Sequence, residues 1–123
     1  MKLEDFNNLL EQEIIPKCRE IMNHKGLSYS GLDDKLGNFK RVGQAAGVPT
    51  LVAWQVYFLK HVDAINAYCR GEYSDNEDIL GRVLDIINYG FLAYAIITED
   101  PTGTVPDVAN TSTAKIIDDE ELD

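Results

Sequence analysis

Cysteine, histidine and proline are scarce in this chain, and the scarcity is informative. Of 123 residues, two are cysteine, two are histidine and four are proline. Cys18 and Cys69 lie far apart, without the close pairing from which zinc sites are built. They read as two buried, reduced thiols of a cytoplasmic protein. Basic residues are also few: 11 Lys and Arg stand against 21 Asp and Glu, for a formal net charge of −10. Affinity for a nucleic-acid backbone rests on Lys and Arg neutralising phosphates, so general nucleic-acid binding is not expected. A small nucleotide in a local basic pocket remains compatible with that balance. No uninterrupted apolar run approaches the ~18 residues that would cross a bilayer. The N-terminus, MKLEDFNNLLEQEI, is acidic and amphipathic rather than signal-like. No membrane partner is expected. There is no P-loop, no dinucleotide fingerprint and no nucleophile elbow, so covalent catalysis lacks support.

What the chain does have is helical periodicity. Leu3, Phe6, Leu9, Leu10, Ile14, Cys18, Ile21 and Met22 mark a first apolar stripe. Pro16 falls within it and predicts a kink or split near Ile14. His24 to Gly31 is polar and glycine-punctuated and reads as a loop. A short helix is expected from Leu32 to Ala46, with Leu36, Phe39, Val42 and Ala46 inward. Thr50 suits an N-cap for a helix over Leu51 to Arg70, which carries Trp54 as a core residue and ends at Gly71. Ser74-Asp75-Asn76-Glu77 has the form of a capping box before a last helix running to about Thr98. In that helix Leu80, Leu84, Ile87 and Phe91 recur at helical spacing. From Glu99 onward prolines, threonines and an acidic end suggest an extended or disordered tail. The expected class is all-α, with a helical domain over 1–98 and a polar acidic tail over 99–123.

The last helix also carries Arg82, Asp85, Asn88 and Tyr89, three and four residues apart and so on neighbouring faces. A buried carboxylate is costly unless paired, hydrogen-bonded or metal-bound. Asp85 therefore either pairs with Arg82 or lines a site, where its oxygens suit Mg²⁺ or Mn²⁺. Glu77 lies a little over two turns upstream and is either the capping-box glutamate or a second acid at that site. Lys60 and Asp63 are either a solvated pair or a phosphate contact and a ligand. His61 reads as a packed side chain rather than a metal ligand. Lys25 and Tyr29 offer a phosphate contact and a ring to stack on a base. Asn38 is an amide beside Phe39, which reads as a core ring.

The ordered set Lys25-Gly26-Leu27-Ser28-Tyr29, Asn38-Phe39, Lys60, Glu77-Asp78-Ile79 and Asp85-Ile86-Ile87-Asn88-Tyr89 resembles the phage nucleotide-modification-associated domain proteins. These are similar to the MazG-like all-α nucleoside triphosphate pyrophosphohydrolases. The resemblance covers about residues 5 to 98. It implies a four-helix, MazG-like bundle completed by oligomerisation into a homodimer or homotetramer, working in the cytoplasm of a phage's host cell. It further implies Mg²⁺ (or Mn²⁺) held by acidic pairs on adjacent helices, with a (deoxy)nucleoside triphosphate cleaved to monophosphate and pyrophosphate. Laid on that pattern, Lys60-x-x-Asp63 and Arg82-x-x-Asp85 replace the two acidic pairs. Asp63, Glu77 and Asp85 are then the metal candidates, and Asp85 and Lys60 the catalytic ones. Lys25, Tyr29, Asn38, Lys60, Arg82, Asn88 and Tyr89 would bind the substrate. Two basic residues at positions usually acidic leave a second expectation open. A non-catalytic protein could sequester a cyclic or modified nucleotide, its cations holding phosphates without a metal. A third is a structural role in which all these groups pair internally.

Overall fold

The computed structural model describes residues 1–29, 33–74 and 76–107, the side chains of 26–29 excepted. All regular structure among them is helical. The first rod comprises α1 (Leu3–Leu9), a π-helical segment (Leu10–Ile14) and α2 (Ile15–Tyr29). Then come α3 (Gly37–Ala46), α4 (Thr50–Cys69) and α5 (Ile79–Glu99). The rods pack α3 on α4, α4 on α5, and α5 on α2.

Pro16 does not break the first helix. A helical proline lacks its N–H, and its ring presses on the carbonyl four residues back, here that of Gln12. The chain widens to π geometry just upstream, where the Ile15 N–H reaches the Leu10 carbonyl. The wider turn accommodates the ring without interrupting the rod. α1 and the π segment bury no residue.

The expected loop at His24 is helix as far as Tyr29. Gly26 inside a helix costs about 1 kcal/mol relative to alanine. Contacts from elsewhere offset that penalty: Lys35 donates to the Met22 carbonyl at 2.6 Å, and Lys25 reaches Asp85 on α5 at 3.3 Å. α3 begins at Gly37 rather than Leu32, because the Asp34 carboxylate accepts the Leu36 N–H at 2.9 Å and holds a turn there.

Two glycines end helices in the left-handed region. Gly47 has φ 71° and Gly71 φ 73°. In each case the following N–H returns to a carbonyl five residues earlier: Val48 to Gly43 at 2.9 Å and Glu72 to Ala67 at 2.9 Å. Thr50 is the first helical residue and is buried, with Pro49 at the cap. The capping box does not form. Asp78 caps α5, its carboxylate accepting the Leu80 N–H at 3.2 Å, so Glu77 lies outside the helix.

The core is small and aromatic. Leu36, Phe39 and Ile96 are buried, with Leu51, Trp54, Tyr57, Tyr89 and Leu92 packed against them. Trp54 is half-buried; it stacks on Phe58 at 4.8 Å and donates its indole N–H to the Tyr89 carbonyl at 2.9 Å. Cys18 is buried, but Cys69 is exposed, contrary to the expectation for it.

α5 does not bury its Leu80, Leu84, Ile87 and Phe91 series most deeply. Leu80 is 64% exposed and Phe91 52%, while Asp85, Asn88 and Ile96 are buried. The helix is apolar on most of its circumference, so hydrophobicity alone does not choose its inner face. By length and composition α5 is also long and apolar enough to cross a membrane, with mean hydropathy 1.4. Arg82, Asp85 and Asn88 interrupt its apolar runs, which is why run length did not reveal it.

The tail is structured where it leaves α5. The Asp100 carboxylate accepts from the Thr102 hydroxyl and the Thr104 N–H, both at 2.9 Å. These bonds hold its pKa below the usual carboxylate value. Residues 108–123, with Ile116 and Ile117, lie outside the described residues.

Gly43 supplies a test of this packing. A Cβ there would meet the Val48 carbonyl oxygen at 2.8 Å, a backbone atom that cannot step aside cheaply. Gly43→Ala should lower stability by about 1–3 kcal/mol. Urea unfolding of the two proteins reads this as a lower midpoint with an unchanged slope.

Candidate functional site

Three helices bring ionisable groups to one place. α5 contributes Arg82, Asp85 and Asn88, which helical spacing puts on its inner side. α4 contributes His61, one turn beyond Tyr57 on the face that meets α5. α2 contributes Lys25 and the backbone of Cys18. Asp85 is 4% exposed and His61 3% exposed, so both sit inside the protein.

The Asp85 carboxylate is the centre. One oxygen lies 3.3 Å from Lys25 Nζ, and the other 3.7 Å from His61 Nδ1. Arg82 Nη1 stands 3.3 Å from the same imidazole nitrogen, and Arg82 Nε lies 3.4 Å from Glu77 at the rim. Arginine can only donate, so His61 Nδ1 is the acceptor in that contact. That contact requires a neutral imidazole with its proton on Nε2, and burial favours the neutral form. Asn88 donates from Nδ2 to the Cys18 carbonyl at 3.1 Å, and its buried Oδ1 has no hydrogen-bond partner among the described residues. The Tyr89 ring lies 4.9 Å from the imidazole and 6.0 Å from Phe39, tying the cluster to the core.

The electrostatics follow from this crowding. Burial is the main cause that pushes the His61 pKa down; Asp85 pulls it up, while Arg82, Lys60 and Lys25 push it down further. Burial raises the Cys18 thiol, and the Asp85 charge adds to that. Cys18 is thus a protonated, packed thiol rather than a nucleophile.

Of the residues expected at a site, Lys25, Arg82, Asp85, Asn88 and Tyr89 come together. Lys25 does so from a helix, not a loop. Lys60 is exposed, though its charge is felt at His61. Asn38 is buried on α3 beside Phe39. The side chain of Tyr29 lies outside the described residues. Asp63 is exposed; it follows His61 by two residues and so points across α4, away from Asp85. His61 is packed, as expected, and it also faces Asp85. Its register with Trp54 and Tyr57 on the inner face of α4 was the sequence signal that it would meet Asp85.

The resemblance implies a divalent cation, and these residues do not fit one. Among the described residues no three His, Cys, Asp or Glu gather to hold a metal. Asp85 already faces an ammonium and an imidazole, and Glu77 faces Arg82. A cation would have to displace Lys25. Comparison with family models, curated proteins and solved structures finds no match to this chain.

The lowered His61 pKa fixes a pH dependence. In the unfolded chain the imidazole takes up its proton near its ordinary value of 6.5, while the folded site resists. Between that value and the lower folded one, the unfolded state binds more protons. Stability therefore falls as pH drops below about 6.5. Melting temperatures at successive pH values should show this loss in the wild-type protein and a smaller one in His61→Gln.

Proposed function

We propose that this chain binds a nucleoside polyphosphate or cyclic nucleotide at the Lys25–His61–Arg82–Asp85 cluster, without chemistry on it. The observation that carries the reading is the excess of cations around a single buried carboxylate. Lys25, Arg82 and the nearby Lys60 bring three positive charges to a centre whose acids are Asp85 and Glu77. A phosphate entering there would replace carboxylates as the partner of Arg82 and Lys25, through charge-assisted hydrogen bonds. Asp85 and Glu77 would hold those cations in position while the site is empty. Asn88 and Tyr89 would orient the nucleoside by hydrogen bonds and ring contact. The molecule would work in a phage host's cytoplasm as a homodimer or homotetramer built on a MazG-like bundle, as the family resemblance implies.

A second reading, the pyrophosphohydrolase, draws on one specific observation. Asp85 and His61 lie 3.7 Å apart, and a carboxylate beside an imidazole can take a proton from an attacking water. The gap between this pair and the metal-bearing acids of the resembled enzymes favours binding over turnover.

One experiment separates these readings. The protein is incubated with nucleoside triphosphates and cyclic nucleotides in Mg²⁺, Mn²⁺ or EDTA, and both bound nucleotide and products are chromatographed. Unchanged nucleotide recovered from the protein in EDTA is the expected result. Lys25→Ala and Arg82→Ala should each weaken retention by roughly tenfold or more, the loss of one charge-assisted bond, while Asp63→Ala leaves it unchanged. Metal-dependent monophosphate and pyrophosphate would establish the hydrolase instead. Retention of no nucleotide under any condition would leave the cluster as internal pairing and overturn both readings.

A further inference from the structure

The outer face of α5 has its own pattern. Leu80, Val83, Ile87, Gly90, Tyr94 and Ile97 follow one another at spacings of three, four, three, four and three. That is the a/d rhythm of a helix-pairing seam. The flanking positions are Ile79, Leu84, Ile86, Phe91, Ala93 and Thr98, and none is charged. The charges of the helix, Arg82, Asp85 and Glu99, all fall on the remaining positions. Leu80 is 64% exposed, Val83 39%, Phe91 52%, Tyr94 78% and Ile97 50%. An ordinary solvent-facing helix carries its charges outward; here Arg82 and Asp85 turn inward, Glu99 in the last turn is exposed, and the apolar seam is bare except at the half-buried Ile87.

We infer that this face pairs with the same face of a second copy of the chain, the two α5 helices running antiparallel. Size complementarity argues for the second copy. Placed antiparallel about a two-fold axis, Leu80 meets Ile97 of the other copy, Val83 meets Tyr94, and Ile87 meets Gly90. Each pair matches an a position with a d position, as antiparallel helices require. Gly90 is exposed, with no atom within 4 Å of where its Cβ would stand, so it leaves a hole for the opposing Ile87. The large Tyr94 falls opposite the smaller Val83. In parallel order the two glycines would face each other and leave a gap. The seam spans about 26 Å at 1.5 Å per residue, long enough to form much of a stable interface. A lipid surface fits less well, because it makes no use of the large-against-small register along this face. The pairing gives a specific face to the oligomer included in the proposed function; it does not depend on nucleotide binding, and its test reads mass and cross-linking rather than nucleotide.

The test uses the full chain. Sedimentation equilibrium should give twice the 13.8 kDa monomer mass for the wild type. Tyr94→Lys should give the monomer mass with unchanged helical circular dichroism, since that side chain supports nothing inside the protomer. In a Cys69→Ser background, Val83→Cys with Tyr94→Cys should form an oxidised, disulfide-linked dimer, and Val83→Cys alone should not. Flotation with neutral phosphatidylcholine vesicles should leave the wild type unbound. A monomeric wild type, a Tyr94→Lys dimer, cross-linking by Val83→Cys alone, or co-flotation of a monomer with vesicles would each overturn the proposal.

Discussion

The burial of Asp85 is the constraint around which the rest of the molecule is arranged. A carboxylate cannot leave water cheaply, so every element near it has to bring something that compensates. α2 brings the charge partner, Lys25; α4 brings His61, whose contact with Arg82 holds that second cation near the carboxylate. The three rods that supply these groups are thereby fixed in register about a polar centre. A neutral His61 between Arg82 and Asp85 keeps two opposite charges apart without adding a third. The arrangement uses few groups, and its balance depends on the protonation of one imidazole.

The aromatic core complements that centre. Phe39 on α3 meets both Tyr57 on α4 and Tyr89 on α5, and Tyr89 in turn meets Phe58 of α4, which stacks on Trp54. Tyr89 belongs to both regions: one side meets Phe39 and the other meets His61. Packing in the core and charge in the site are therefore linked through a single ring. At the far end of α5, Lys40 on α3 bonds both Asp34 and Glu99, fastening the end of α5 to the start of α3.

Much of this organisation was legible in the residues, and the failures have physical causes. The helices over 37–46, 50–69 and 79–99 follow the apolar periodicity and the Gly47 and Gly71 stops. Which side of α5 faces inward was not legible, because Leu80, Leu84, Ile87 and Phe91 outscore Asp85 and Asn88 in hydrophobicity. The polar residues won because partners on other rods were waiting for them, and those partners are distant in sequence. The same blindness affected Lys25. A glycine and a run of polar residues read locally as a loop, whereas a long-range pair to Asp85 holds the segment helical. Pro16 predicted a fault at the right place, and a π turn absorbed it. Asp63 was grouped with Asp85 by a spacing rule that treats Lys60-x-x-Asp63 as a unit. His61 is the residue that faces inward, and a two-residue step carries Asp63 to the opposite face.

The two faces of α5 are consequences of one choice. A helix this apolar would ordinarily bury its most hydrophobic side and leave its polar residues wet. Here Arg82, Asp85 and Asn88 are drawn inward by Lys25, His61 and the Cys18 carbonyl, and the rotation that satisfies them turns the heptad stripe outward. Exposed apolar surface of that length favours association. The polar centre thus accounts both for the cations gathered around a buried carboxylate and for the apolar exterior of α5. The cluster that makes this chain chemically unusual is also what leaves an apolar helix face in water.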